Sequence, residues 1–374
     1  MVDSIFKYHP RVFTANLLSG NVSAMRLALN LGYQTPWSTP ADHLALAQEA
    51  DRLGYSSVWA AEAYGSDSPS ILAWIAGQTE RIEIGTAVMQ IPARTPAATA
   101  MTAATIDTIT GGRFRLGLGV SGPQVSEGWH GVRYGKPLAR TREYVEVVKM
   151  ALSRKTVVYE GEHYTLPLPD GPGKALKLAF HPHRTEIPIY LAAVGPKNLE
   201  LAGEIADGWL AVFFDPGMAQ ESLAPIAKGR AKVGKDLTGF DVVPSVPVVI
   251  GDDPEMCAEL VRWYAALYIG GMGSREKNFY NELATRMGFG EAAREVQDLY
   301  LSGHQRDAAA AVPFEFIDRT SLLGPVPRIA SRMREFADSG VTTLAIALFT
   351  GDADSGRETL RSVAEAHELS GTGD

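Results

Sequence analysis

The chain has 374 residues, 45% of them hydrophobic, which is enough to bury a large core. Lysine and arginine number 35 against 43 acidic residues, and this net charge of −8 argues against a general nucleic-acid or anionic-membrane binder. Cys257 is the single cysteine, which excludes an intramolecular disulfide and a cysteine-built metal cluster; no apolar run reaches the length of a membrane span, and the cytoplasm is the expected compartment.

Residues 1–24 lack the compact apolar stretch of a signal peptide. Met25 opens MRLALNLGY, which reads as a first strand, so 1–24 is expected to be a dispensable leader and 25–374 a single domain. LALNLGY (Leu27 to Tyr33) is strand-like, and Pro40 to Leu53 carries apolar residues at helical spacing. SSVWAAEAYG is a second strand before a helix over Pro69 to Gln78, and Ile82 to Ile91 a third before the Ala/Thr-rich helix Pro96 to Ile109. The fourth strand lies in GGRFRLGLGVSGPQVSEGWHG (Gly111 to Gly131), followed by a helix over Ala139 to Leu152. Gly117, Gly119 and Gly122 there either let a ligand approach the backbone, supply positive φ, or simply make a turn; their spacing fails the G-x-G-x-x-G dinucleotide fingerprint.

PIYLAAVGP precedes a helix over Asn198 to Ile205, and GWLAVFFDP precedes Met218 to Ala231. VVPSVPVVI and TTLAIALFTGD bring the apolar strands to eight. Near-continuous apolar runs alternating with helices predict parallel strands covered on both faces, and eight such steps predict a (β/α)₈ TIM barrel over a doubly wound open sheet. Two segments interrupt the repeat. Residues 157–187, after helix 4, read as a small β-excursion. Residues 254–326, between strands 7 and 8, read as amphipathic helices through Trp263, Tyr264, Leu267 and Tyr268. The latter would pack on the barrel or on a partner subunit, or form a lid hinged at Gly270, Gly271 and Gly273.

Barrel chemistry sits at the C-terminal ends of the strands. Here those ends offer glycines, amides and aromatics, with no metal-binding cluster, no Ser-His-Asp set and no G-x-S-x-G elbow. Such a pocket suits a flat hydrophobic ring, so the expected partner is a small molecule, and the expected assembly a homodimer or higher homo-oligomer.

The ordered motifs GTAVMQIPARTP, GGRFRLGLGVSGPQVSEGWHG and PIYLAAVGPKNLELAGEIADGWL resemble the bacterial luciferase-like monooxygenase superfamily. Within it they are most similar to the branch that uses the deazaflavin coenzyme F-420, such as methylene-tetrahydromethanopterin reductase. The resemblance spans nearly all of Met25 to Leu369 and is strongest from Ser56 to Leu210. It implies hydride transfer at the deazaflavin C5, with FMN-dependent oxygenation and a non-catalytic flavin-binding barrel as alternatives. It also implies a non-proline cis peptide at Ala87–Val88 behind the ring. The Val120, Ser121, Gly122 and Gln124 turn would meet the ribityl chain and phosphate, with Ala192, Ala193, Val194, Gly195, Pro196 and Lys197 offering N–H groups to the same phosphate. Several relatives carry Asp-His at the end of strand 2, where this chain has Glu62-Ala63, so the histidine is missing. Glu62 is then the expected acid unless it only binds neighbouring backbone, with Tyr64 beside it. His130 is the best remaining histidine, unless it is a solvated loop residue.

Overall fold

The computed structural model describes residues 24–33 and 38–373; the predicted leader, apart from Ala24, lies outside them. The strands are β1 (Arg26–Asn30), β2 (Ser57–Ala60), β3 (Glu83–Thr86, resuming at Met89–Gln90), β4 (Phe114–Gly119), β5 (Ile189–Ala192), β6 (Gly208–Val212), β7 (Asp241–Ile250) and β8 (Thr343–Leu348). Each pairs in parallel with its neighbours. The sheet closes where Leu27 of β1 faces Leu344 of β8, which makes it a (β/α)₈ barrel and rules out the open sheet.

The barrel helices are α1 (Pro40–Arg52), α2 (Ser68–Ala76), α3 (Pro96–Ile109), α4 (Pro137–Leu152), α5 (Pro196–Ile205), α6 (Ala219–Lys232), α7 (Val326–Asp338) and α8 (Ala353–Ser370). Their starts are written locally. Thr39 and Asp42 form a capping box on α1, and the side chains of Asp67, Thr95 and Asp352 cap α2, α3 and α8. The apolar face of each then covers the outside of the sheet; α3 buries Ala100, Ala103 and Ala104 completely.

The barrel interior is layered. At the N-terminal end Asp241 is buried, and its carboxylate accepts from Arg26 Nη2 (2.8 Å), the Tyr190 hydroxyl (2.9 Å), Thr343 Oγ1 (2.8 Å) and the Thr342 hydroxyl. Ala28, Trp59, Tyr190, Val243 and Ala345 fill the apolar layer above it. Burial alone would raise the Asp241 pKa, but the Arg26 charge and the hydroxyl donors outweigh it and hold the group below its ordinary range. Asp241→Ala should therefore cost roughly 3 kcal/mol in urea unfolding at neutral pH. Because the native pKa is the lower one, this contribution is present above the ordinary aspartate value and disappears as pH falls through the native value. The wild-type and Asp241→Ala stabilities should accordingly converge in acid.

The strand glycines are there for packing. A Cβ on Gly117 would lie 1.8 Å from the Thr86 carbonyl oxygen, and one on Gly119 would lie 2.6 Å from Val88 Cγ2. Neither has positive φ. The left-handed position in this turn belongs to Ser121, at φ 59°. The room these glycines leave is taken by the neighbouring strand.

Residues 159–160 and 165–166 form a short antiparallel hairpin. After β7 the chain leaves the barrel through helices Pro254–Ala266, Phe279–Ala284, Gly290–Leu301, Gln305–Ala310 and Phe314–Arg319. Two π-helical turns, Leu267–Gly271 and Thr285–Phe289, interrupt the series. A strand at Leu322–Gly324 then pairs with the end of β7 before α7 begins. This insertion has its own core around Val261, Ile269, Val296 and Phe316, and Phe213 at the end of β6 belongs to it.

Candidate active site

The C-terminal ends of the strands and the inner side of the insertion enclose a cavity of about 1180 Å³. Its floor is Trp59, Leu210, Val243 and Ala345, contributed by side chains that point into the barrel. One wall comes from the ends of β3, β4 and β5. The Ala87–Val88 peptide there is cis, and Gln90, Ser121, Gln124, Gly195 and Lys197 stand around it. The opposite wall is Tyr33 after β1, Phe349 after β8, and Trp263, Tyr264, Tyr268 and Tyr280 from the insertion. The insertion thus roofs part of the cavity while packing on the barrel. Its glycines, however, are packed: a Cβ on Gly270 or Gly271 would fall within 2.5 Å of the Tyr300 side chain, and one on Gly273 would lie 2.4 Å from the Lys277 carbonyl oxygen.

Asn278 explains how the π-turn is kept. Its amide nitrogen donates to the Tyr268 and Ile269 carbonyls (3.0 and 2.9 Å), while its oxygen accepts from the N–H groups of Tyr280 and Asn281. One buried side chain satisfies the backbone that the irregular turn frees and aims Tyr268 and Tyr280 at the cavity. Two arginines dock the roof on the barrel. Arg319 Nε donates to Asp215 Oδ2 (2.9 Å), and Arg286 Nη2 donates to the Val194 carbonyl (3.2 Å).

Of the side chains expected at the site, all but His130 and Ala193 line the cavity. Ala193 is buried, and its carbonyl accepts from Trp209 Nε1 (2.9 Å). His130 stands behind Gln90, with Nε2 2.9 Å from Gln90 Oε1. An amide oxygen only accepts, so His130 carries its proton on Nε2, and Gln90 Nε2 donates onward to Ser121 Oγ (3.3 Å). Tyr64 is 62% exposed at the rim.

Glu62 lines the cavity with both carboxyl oxygens engaged. Arg94 Nη1 donates to Oε2 and Nη2 to Oε1, each at 2.8 Å, and the Gln90 and Ser68 N–H groups add bonds of 3.2 and 3.1 Å. Asp67, the α2 cap, holds the other side of Arg94. Both carboxyl oxygens are thus engaged, by a charged bidentate partner and two backbone donors. The arrangement pins the ends of β2 and β3 together, through the Arg94 side chain as well as the backbone N–H groups that the sequence reading considered. Arg94 was not singled out in the sequence, although it sits within the quoted IPARTP; its bidentate geometry depends on the two strand ends meeting.

At the other wall, α5 starts at Pro196 with Gly195 as an extended N-cap that brings no side chain, so the first-turn N–H groups are left uncapped by any side chain where Gly195, Pro196 and Lys197 line the cavity. A helix start of this kind favours an anion. Among the described residues no group of three or more His, Cys, Asp and Glu side chains could hold a metal ion, and no helix is long and apolar enough to cross a membrane.

Known proteins share both the sequence pattern and the fold of this chain. The chain is 42% identical over 345 residues to the "Putative coenzyme F-420-dependent oxidoreductase" of Mycobacterium tuberculosis, covering 90% of this chain and 98% of that one. It is 31% identical to the 5,10-methylenetetrahydromethanopterin reductase of Archaeoglobus fulgidus, over 78% of this chain and 85% of the relative. The fold is shared with the coenzyme F-420-dependent tetrahydromethanopterin reductase of Methanopyrus kandleri, at a TM-score of 0.78 and 23% identity over 92% of this chain and 98% of that one. The family model for luciferase-like monooxygenases matches residues 18–343, a span that includes all three motif segments and seven of the eight barrel strands, and the chain belongs to that family.

Proposed function

We propose that the protein is an F-420-dependent oxidoreductase acting on a small organic substrate. The observation that carries this reading is the near full-length likeness to a relative whose name states F-420 dependence, in a chain whose cavity has the right parts. At about 1180 Å³ the cavity exceeds the roughly 300–1,000 Å³ of an ordinary ligand pocket, which leaves room for a tricyclic coenzyme and a second molecule. The residues present fit the group. Trp59, Ala87 and Val88 give an apolar surface for the ring; Ser121 and Gln124 offer hydrogen bonds to a hydroxylated chain, and the Lys197 N–H and ammonium suit a phosphate. When bound, the reduced deazaflavin supplies a two-electron hydride from C5.

The protein's share is positional. The Glu62–Arg94 pair and the Gln90–Ser121 bond fix the two strand ends that would flank the ring, and the insertion keeps water from the reacting face. Absorbance-monitored titration with F-420 and FMN tests the reading. F-420 should bind at least tenfold more tightly and support turnover without oxygen. Tighter FMN binding with oxygen-dependent turnover would make the protein a flavin monooxygenase, and binding without turnover would make it a flavin-binding barrel.

A further inference from the structure

The wall opposite the coenzyme half carries a concentration of phenols that the proposed chemistry has not used. The Tyr33 and Tyr268 hydroxyls are 3.3 Å apart, and the Tyr264 and Tyr280 rings each lie 4.7 Å from that of Tyr268, centre to centre. All four side chains line the cavity. Burial raises each of them above the ordinary phenol pKa, so they stay neutral and keep their protons. Tyr33 and Tyr268 hydrogen-bond to each other, and either hydroxyl can be the donor. One contact between these two hydroxyls uses one of their two phenolic protons, which leaves the other for an outside acceptor.

The charges nearby narrow what that acceptor can be. Asp42 and Asp352 stand on the same side of the mouth and repel one another. Their capping bonds, from Thr39 to Asp42 and from Ser355 to Asp352, hold both carboxyls below their usual range. Lys277, which also lines the cavity, has its Nζ 4.9 Å over the Tyr134 ring. An anionic substrate would meet two carboxylates with no guanidinium to pair with. A neutral ring with one accepting oxygen would meet aromatic faces and a donated phenolic proton.

We infer that the substrate is an uncharged, ring-sized carbonyl compound whose oxygen accepts a hydrogen bond from the Tyr33–Tyr268 pair. This deepens the F-420 reading and rests on it for the identity of the second ligand, but the binding itself can be read without turnover. The probe is tetralone, followed by quenching of tryptophan fluorescence, with naphthoate and aminotetralin as charged partners of similar size. Each is titrated with and without saturating F-420. Tetralone should bind most tightly, and Tyr33→Phe and Tyr268→Phe should each weaken it by roughly 5- to 10-fold while the melting curve and F-420 affinity stay close to wild type. Tyr159→Phe, on the 157–187 hairpin, should change nothing. Failure of tetralone to bind, equal or tighter binding of either charged probe, or unchanged affinity in both tyrosine variants would overturn the inference. A protein that binds tetralone in the expected way but refuses F-420 would overturn only the coenzyme reading.

Discussion

Glu62→Gln should lower stability by about 3–5 kcal/mol and turnover by roughly 10²-fold, and the remaining turnover should keep the wild-type pH profile. The carboxylate is 6% exposed and receives both arms of the Arg94 guanidinium, itself 20% exposed. A glutamine in its place presents an NH₂ to one of those arms, so two donors face each other and a part-buried cation loses one of its two counter-charges, Asp67 being the other. The displaced Arg94 would also release Asp67, whose pKa is lowered against its own desolvation by the Ser70 cap and by Arg94. The ends of β2 and β3 then separate, and the Gln90 side chain loses the backbone anchor that directs it toward Ser121 and His130. A general acid would behave otherwise. Its loss would remove one limb of the pH profile and leave stability almost unchanged. Denaturant unfolding and a pH–rate profile on the same variant separate the two roles. An Arg94→Met partner completes a double-mutant cycle, in which the pair should show coupling of more than about 1 kcal/mol.

Most of the barrel was legible because each step is a local signal. Continuous apolar runs such as PIYLAAVGP mark strands covered on both faces, and Thr39-Pro40 or Thr95-Pro96 mark helix starts a few residues away. The mouth residues followed from the same count, since the end of each strand is the end of its apolar run. What could not be read is whatever needs the sheet to close. Gly117 looks like a ligand-approach glycine in a linear motif, and only the register of β3 against β4 shows the Thr86 carbonyl occupying its space. Asp241 looks like an ordinary turn aspartate until β8 and β1 bring Thr343 and Arg26 to it across 102 and 215 residues of sequence. The tyrosines were visible as a helical stripe, but Tyr33 lies 235 residues before Tyr268, and nothing in either segment announces that the two hydroxyls meet.

Phe213→Ala should cost about 3–5 kcal/mol and should do so mainly in the insertion. The ring of Phe213 is 3% exposed and packs against Tyr264, Tyr268, Tyr280 and Phe316, with centroids 5.3 to 6.2 Å away. It follows the last residue of β6 and belongs to the insertion's core, which is separate from the core around the barrel. Removing it leaves a cavity at the junction, lined by rings that are held from the other side by Asn278 and cannot easily collapse into it. Phe213 also has φ at 54°, a left-handed position that is unfavourable for a bulky side chain, so the surrounding rings must supply the compensation. Phe213→Gly should therefore be less damaging than its lost area suggests, because glycine relieves the backbone while the alanine variant keeps the strain. Hydrogen exchange reads the location of the loss. Amides from 254 to 319 should lose protection in the alanine variant, whereas those of β1 to β5 should exchange as in the wild type, because the barrel keeps its own core while polar ties such as Asp215–Arg319 and Arg286–Val194 still hold the insertion to it. Uniform loss of protection through barrel and insertion alike would show instead that the two cores unfold as one unit. F-420 affinity gives a second readout: the phosphate and ring contacts proposed for β3 to β5 should survive, while tetralone binding, which needs the roof tyrosines in place, should fall by more than tenfold.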